Sequence, residues 1–118
     1  MDKWSVEFCE EFDQEFAGFS RGLKTAIALR LKLLAVGGPS LGRPIVDTLN
    51  GSKHANMKEL RLSFDGCPWR LAFAFDPNRK AIVLVAANKS GVPQRKFYKT
   101  LIKTADQRLD NYLRNSGE

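Results

Sequence analysis

Three apolar segments between residues 57 and 87 leave this chain few ways to fold. Leu60, Leu62 and Phe64 alternate with Glu59, Arg61 and Ser63, the period of a strand with one face buried. Asp65-Gly66 follows, a tight-turn signal. Trp69, Leu71, Phe73 and Phe75 then alternate with Arg70, Ala72 and Ala74, and Asp76-Pro77-Asn78 turns the chain again. Residues 81–87 are apolar on both faces, as in a strand covered from both sides. Three strands joined by such short turns form an antiparallel sheet.

The flanks supply the cover. Trp4, Val6 and Phe8 read as a short strand, and Phe8, Phe12, Phe16 and Phe19 recur at helical spacing. A second helix is predicted over residues 23–36, with Leu23, Ile27, Leu31 and Leu34 on one face. Ser20 is its N-cap and Gly37-Gly38-Pro39 its stop. Residues 39–55 read as loop. Phe97, Leu101, Ile102, Ala105, Leu109, Tyr112 and Leu113 form the stripe of a C-terminal amphipathic helix. The predicted order, β-α-α-β-β-β-α, is an α+β fold: N-terminal strand and helical hairpin, antiparallel β-sheet, C-terminal helix, with the helices against one face of the sheet. At 118 residues, 1–118 is read as a single domain.

Charge is distributed unevenly. Residues 1–15 hold six acids against Lys3, a local charge of −5; the rest carries 18 Lys/Arg against 7 acids, or +11. A body this basic attracts polyanions. No apolar run is long enough to span a bilayer, and Met-Asp-Lys-Trp lacks a signal-peptide core, so a cytoplasmic location and no membrane partner are expected. Cys9 and Cys67 have no metal-binding spacing, and His54 is the single histidine, so no metal and no cofactor are expected. The early acids Glu10 and Glu11 read as a solvated helix face. There is no P-loop, dinucleotide fingerprint or Gly-x-Ser-x-Gly elbow.

Register sharpens the reading of the arginines. If Asp65-Gly66 is a two-residue loop, Phe64 pairs with Cys67 and Arg61 stands opposite Arg70; a four-residue loop makes the arginines diagonal neighbours. In both cases they share a face, where like charges repel. Either an anion bridges them, or they pair with local acids such as Glu59 or sit solvated. Lys89 falls just beyond the third strand, at the rim of the same sheet. Tyr98 lies at the edge of the last helix's apolar stripe. His54 suits proton transfer near neutral pH and has Lys53 and Lys58 nearby. A cationic face of this kind fits a phosphate, and RNA above all, because its 2′-hydroxyl can attack the adjacent phosphate without a metal. Arginine forks match phosphate oxygens, and a lysine crowded by arginines can act as acid or base.

The order of elements, with Gly38-Pro39-Ser40-Leu41-Gly42-Arg43-Pro44, Val46-Asp47-Thr48-Leu49, Met57-Lys58-Glu59-Leu60-Arg61 and Phe73-Ala74-Phe75-Asp76, resembles the phage-derived, HigB-type branch of the RelE/ParE toxin superfamily. The similarity runs over residues 4–113. It implies a RelE-like, microbial-RNase-type fold and the toxin of a type II toxin–antitoxin pair. Such a toxin is an endoribonuclease, an mRNA interferase that cuts mRNA in the ribosome and inhibits translation. Its expected partners are ribosome, mRNA and a cognate antitoxin, usually a helix-turn-helix protein. By that resemblance Arg61 and Arg70 look like the strand arginines that grip the scissile phosphate, and Lys89 and Tyr98 like the late cation and aromatic. Lys53, His54 and Lys58 lie where relatives place basic or acid–base residues. The catalytic set expected is Arg61, Arg70, Lys89, Tyr98, His54 and Lys58, and the RNA-binding set Lys53, Arg95, Lys96 and Lys99. Acid and base roles are open among His54, Lys58, Lys89 and Tyr98. Two rival functions use the same fold: a ParE-like gyrase inhibitor without nuclease activity, and a non-catalytic basic RNA-binding module.

Overall fold

The computed structural model describes residues 3–116. A five-stranded sheet forms from β1 (Ser5–Phe8), β2 (Val46–Thr48), β3 (Met57–Phe64), β4 (Cys67–Phe75) and β5 (Lys80–Asn88), in the order β1-β5-β4-β3-β2. The helices are α1 (Glu10–Ala17), α2 (Arg21–Gly37) and α3 (Gln94–Asn115). The three predicted strands are the central ones, and β2–β3, β3–β4 and β4–β5 are all antiparallel. The edge strand β1 pairs parallel with β5, and β2 emerges from the stretch read as loop.

Local chemistry sets these boundaries. Asp65 and Gly66 both adopt left-handed φ, +53° and +74°, as a two-residue loop of the primed type requires. Phe64 therefore faces Cys67, and Arg61 faces Arg70. At the next turn Asp76 Oδ1 accepts from the backbone N–H groups of Asn78 and Lys80, each at 2.9 Å. Ser20 caps α2 by accepting from Leu23 N–H at 3.2 Å. Gly38 ends it with φ +52°, and a Cβ there would overlap the Trp4 indole.

The helices occupy both faces of the sheet, not one. Phe64 packs under Gly22 of α2, Trp69 meets Phe19, and Phe8 meets Phe12 and Phe16 of α1. The alternate residues face α3: Glu59 contacts Tyr98, Glu7 contacts Tyr112, and Ala74 and Ile82 share a small cavity with Leu109 and Leu113. Ala72 and Ala74 look like a neutral strand face in sequence, but their small side chains leave room for a helix. Two apolar layers result, with Phe12, Ile27, Leu34, Leu60, Leu71 and Phe73 fully buried in or under the sheet. Each such side chain contributes roughly 1.5–3 kcal/mol by burial.

Where β5 carries an extra residue, Leu84, its register against β4 shifts. The Leu84 carbonyl accepts from Arg108 Nη1 at 2.9 Å and from the Cys9 thiol at 3.4 Å. Arg108 also grips Glu15 with both terminal nitrogens at 2.7 Å, tying α3 to α1. Of the early acids, Glu10 is exposed, but Glu11 accepts from Asn111 and Glu7 from Tyr112 and Lys80. Much of the N-terminal negative charge is thus used internally, against the C-terminal half of α3.

Candidate functional site: a carboxylate between two arginines

β3 presents Glu59 and Arg61 on the face covered by α3, because residues two apart share a side of a strand. Arg70 comes from β4, directly opposite Arg61. Glu59 is 4% exposed and holds both arginines. Its Oε2 accepts from Arg61 Nε at 3.2 Å and Nη2 at 3.0 Å, while its Oε1 lies 3.7 Å from Arg70 Nε. The anion that reconciles the two facing cations is therefore the protein's own. Asp47 of β2 adds a second carboxylate, accepting from Arg61 Nη2 at 3.3 Å.

The first turns of α3 bring Tyr98 onto this group. Its hydroxyl donates to Glu59 Oε1 at 2.7 Å and accepts from Arg70 Nε at 3.3 Å. Burial first, and then the bond to Glu59, push the phenol above its ordinary value. The same carboxylate is the main reason the Arg61 guanidinium is held still more firmly protonated. Lys89 Nζ lies 5.4 Å from the centre of the Tyr98 ring, a cation–π contact. Arg70 Nη1 donates to the Trp69 carbonyl at 3.0 Å. Arg61, Arg70, Lys89 and Tyr98, all singled out from sequence, thus converge.

His54 and Lys58 do not join them. His54 Nε2 lies 2.9 Å from Asp110 Oδ1, and Lys53 forms an ion pair with the same carboxylate. Ser52 Oγ donates to Asp106 at 2.5 Å, and Lys53 N–H donates to Asp106 at 3.2 Å. Two aspartates one turn apart on α3 so fasten the loop before β3. Asp110 is twelve residues beyond Tyr98, about 18 Å along the helix at 1.5 Å per residue. Lys58 points to the other face of β3, and its Nζ donates to Thr48 Oγ1 at 3.0 Å. Arg95, Lys96 and Lys99 are exposed on the turns of α3 that carry Tyr98, whereas Lys53 is engaged with Asp110.

Glu59 and Asp47 are members that the reading from sequence did not place in the site. The signal was the Glu59-Leu60-Arg61 spacing, which puts acid and base side by side on one face. Glu59 is the only carboxylate of the group that is fully buried. A buried carboxylate beside two guanidiniums and a protonated phenol can accept a proton, stabilise a phosphorane and donate a proton within one cluster. Among the described residues no three or more His, Cys, Asp or Glu stand together as metal ligands, and no helix is long and apolar enough to cross a membrane.

Comparison with known proteins agrees with this architecture. Residues 14–110 match the family described as phage derived protein Gp49-like. A Mycobacterium tuberculosis protein named as toxin HigB3 is 40% identical over 109 residues, covering 92% of this chain and 93% of its own length. A second, named as toxin HigB2, is 42% identical over 111 residues; these cover 93% of this chain but 54% of HigB2. A solved arginine-to-alanine double mutant of Escherichia coli toxin RelE in the free state superposes with a TM-score of 0.62. It covers 87% of this chain and 96% of its own at 12% identity, a likeness of fold.

Proposed function

This chain belongs to the phage-derived Gp49-like family of HigB-type toxins, and we propose that it is an endoribonuclease that cuts mRNA on translating ribosomes. The observation that carries the reading is Glu59 buried between Arg61 and Arg70, with Tyr98 on the same carboxylate.

In this mechanism the phosphate of the RNA takes a place beside the two guanidiniums. Glu59 accepts the proton of the 2′-hydroxyl, whose oxygen attacks phosphorus. Arg61 and Arg70 hold the non-bridging oxygens as their charge grows, the task for which a planar fork is suited. The bond to the 5′-oxygen breaks, and Tyr98 gives that oxygen a proton. The products are a 2′,3′-cyclic phosphate and a 5′-hydroxyl, with the proton gained by Glu59 replacing the one lost by Tyr98. Lys89, over the phenol ring, offsets the negative charge left there. Arg95, Lys96 and Lys99 line the approach as contacts for the RNA backbone. The partners in this reading are mRNA, the cytoplasmic ribosome and a neutralising antitoxin of the helix-turn-helix kind.

The test is primer extension on one defined mRNA in a reconstituted translation reaction, with and without ribosomes. Discrete new 5′ ends that need ribosomes, and vanish with Glu59→Gln, are expected. Cuts without ribosomes would make it a free ribonuclease. No cuts from a folded protein that still arrests growth would overturn the reading and direct attention to gyrase.

A further inference from the structure

The arginine pair opens into a groove of about 460 Å3 that reaches a third arginine, Arg30 of α2. Arg30 is half-buried, and no hydrogen bond or ion pair holds it among the described residues. Its two neighbours in the groove are only partly committed. Arg61 uses Nε and Nη2 on Glu59 and Asp47, and Arg70 uses Nε and Nη1 on Tyr98 and the Trp69 carbonyl. Among the described residues Arg61 Nη1 and Arg70 Nη2 have no hydrogen-bond partner. Three guanidiniums from three elements therefore line one groove, and no carboxylate is among its described lining residues. Pro44, Ile45 and Pro68 supply apolar lining between them.

A half-buried guanidinium without a counter-charge is poorly placed unless an anion arrives. The apolar lining suits a ribose or base, and the arginines suit phosphates on either side of it. We propose that this groove is a subsite for the nucleotide next to the cleavage point, with Arg30 holding the neighbouring phosphate of a single RNA strand. The strand's identity rests on the endonuclease reading; the binding geometry does not. Arg30 is a binding residue in this scheme and takes no part in the bond-breaking step.

The experiment is fluorescence anisotropy of a short 2′-O-methyl RNA, which cannot be cut, with the purified chain over a range of salt concentrations. Arg30→Ala is expected to weaken binding about ten-fold and to reduce the slope of log affinity against log salt by about 0.7, the loss of one phosphate contact on a single strand. Arg30→Lys should restore the slope while recovering only part of the affinity. Unchanged circular dichroism would confirm that both variants fold. The proposal is overturned if Arg30→Ala keeps wild-type affinity and slope while Arg61→Ala loses both, or if the wild type binds no RNA at low salt. It is equally overturned if Arg30→Ala spares RNA binding but abolishes binding of a polyglutamate peptide, which would assign the groove to an acidic protein partner. Failure of the endonuclease reading looks different: no cleavage on ribosomes, with Arg30-dependent RNA binding intact.

Discussion

The Tyr98 hydroxyl donates to Glu59 Oε1 at 2.7 Å, and this one bond joins α3 to the strand that carries the arginine site. It stabilises the fold and orients the carboxylate at once. Tyr98→Phe removes a hydrogen bond to a buried charged group and should cost about 1.5–3 kcal/mol in urea unfolding. The wild-type phenol is held above its ordinary value near 10. A raised folded value means that its stabilisation is fully present below the unfolded value and is lost as pH rises through the folded one. The wild type should lose stability in that alkaline range more steeply than Tyr98→Phe. Equal alkaline profiles would show that neither burial nor the Glu59 bond raises the phenol in solution.

Glu59 separates two roles that one substitution can divide. Glu59→Gln preserves size and should lower mRNA cleavage by about a hundred-fold or more, the contribution of a general base. Glu59→Ala also strands Arg70, whose side chain is 14% exposed, and should destabilise by about 3 kcal/mol, the typical cost of an unpaired interior charge. Single-turnover cleavage and thermal unfolding, measured on both variants, read the two effects apart. A Gln variant as active as wild type would remove Glu59 from the mechanism.

His54 is predicted to be dispensable for cleavage. Its partner is Asp110, whose carboxyl is drawn below its ordinary value by Lys53 first and by His54 after it. A lowered folded value gives stability that is present above the unfolded carboxylate value and lost as pH falls through the folded one. Asp110→Asn should therefore flatten the acid limb of unfolding stability, while His54→Ala leaves the rate of mRNA cleavage unchanged. A His54→Ala variant that folds but fails to cut would bring the loop back into the site.

These contrasts explain what could be read in the sequence. Arg61 and Arg70 were legible because strand alternation puts them on one face in either register the Asp65-Gly66 turn allows, the structure choosing the directly facing one, and Tyr98 because a helix stripe marks its edge. β2 was not legible: Val46-Asp47-Thr48 is too short for a period and sits between Pro44 and Asn50-Gly51. The second helical layer was only partly legible: residues 81–87 read as covered from both sides, but Ala72 and Ala74 on the neighbouring strand carry no hydrophobic signal strong enough to announce a covering helix. His54 attracted attention as the only imidazole, but Asp106 and Asp110, distant in sequence, decide its place. Glu59 was visible as a neighbour of Arg61. Its burial depends on α3 lying over it, which strand periodicity alone does not show.

Cys9 and Cys67 should report on the same packing. Cys9 is 1% exposed, and burial is the main cause that pushes its thiol upward; Cys67, at the β3–β4 turn, is partly accessible. Thiolate is the reactive form, so a thiol reagent should modify one cysteine rapidly in the folded protein and the second only after denaturation. Cys67→Ser should remove the fast phase. Rapid modification of Cys9 in that variant would mean that α1 opens readily from the sheet.

The two arginines should differ in what their loss does. Arg61 is 34% exposed and has two carboxylate partners, while Arg70 is more enclosed and holds Tyr98 and the Trp69 carbonyl. In Arg61→Ala, Glu59 keeps Tyr98 and Arg70, so the fold should lose about 1 kcal/mol or less, as for a part-exposed ion pair. In Arg70→Ala a cavity opens and two polar groups lose their donor, costing about 2–3 kcal/mol. Both should abolish growth arrest. Arg70→Lys keeps the charge but not the fork, so it should recover stability with little of the toxicity. Induced expression followed by growth curves, beside melting of the purified variants, tests the pair. A folded Arg61→Ala protein that arrests growth like the wild type would show that the phosphate is gripped elsewhere.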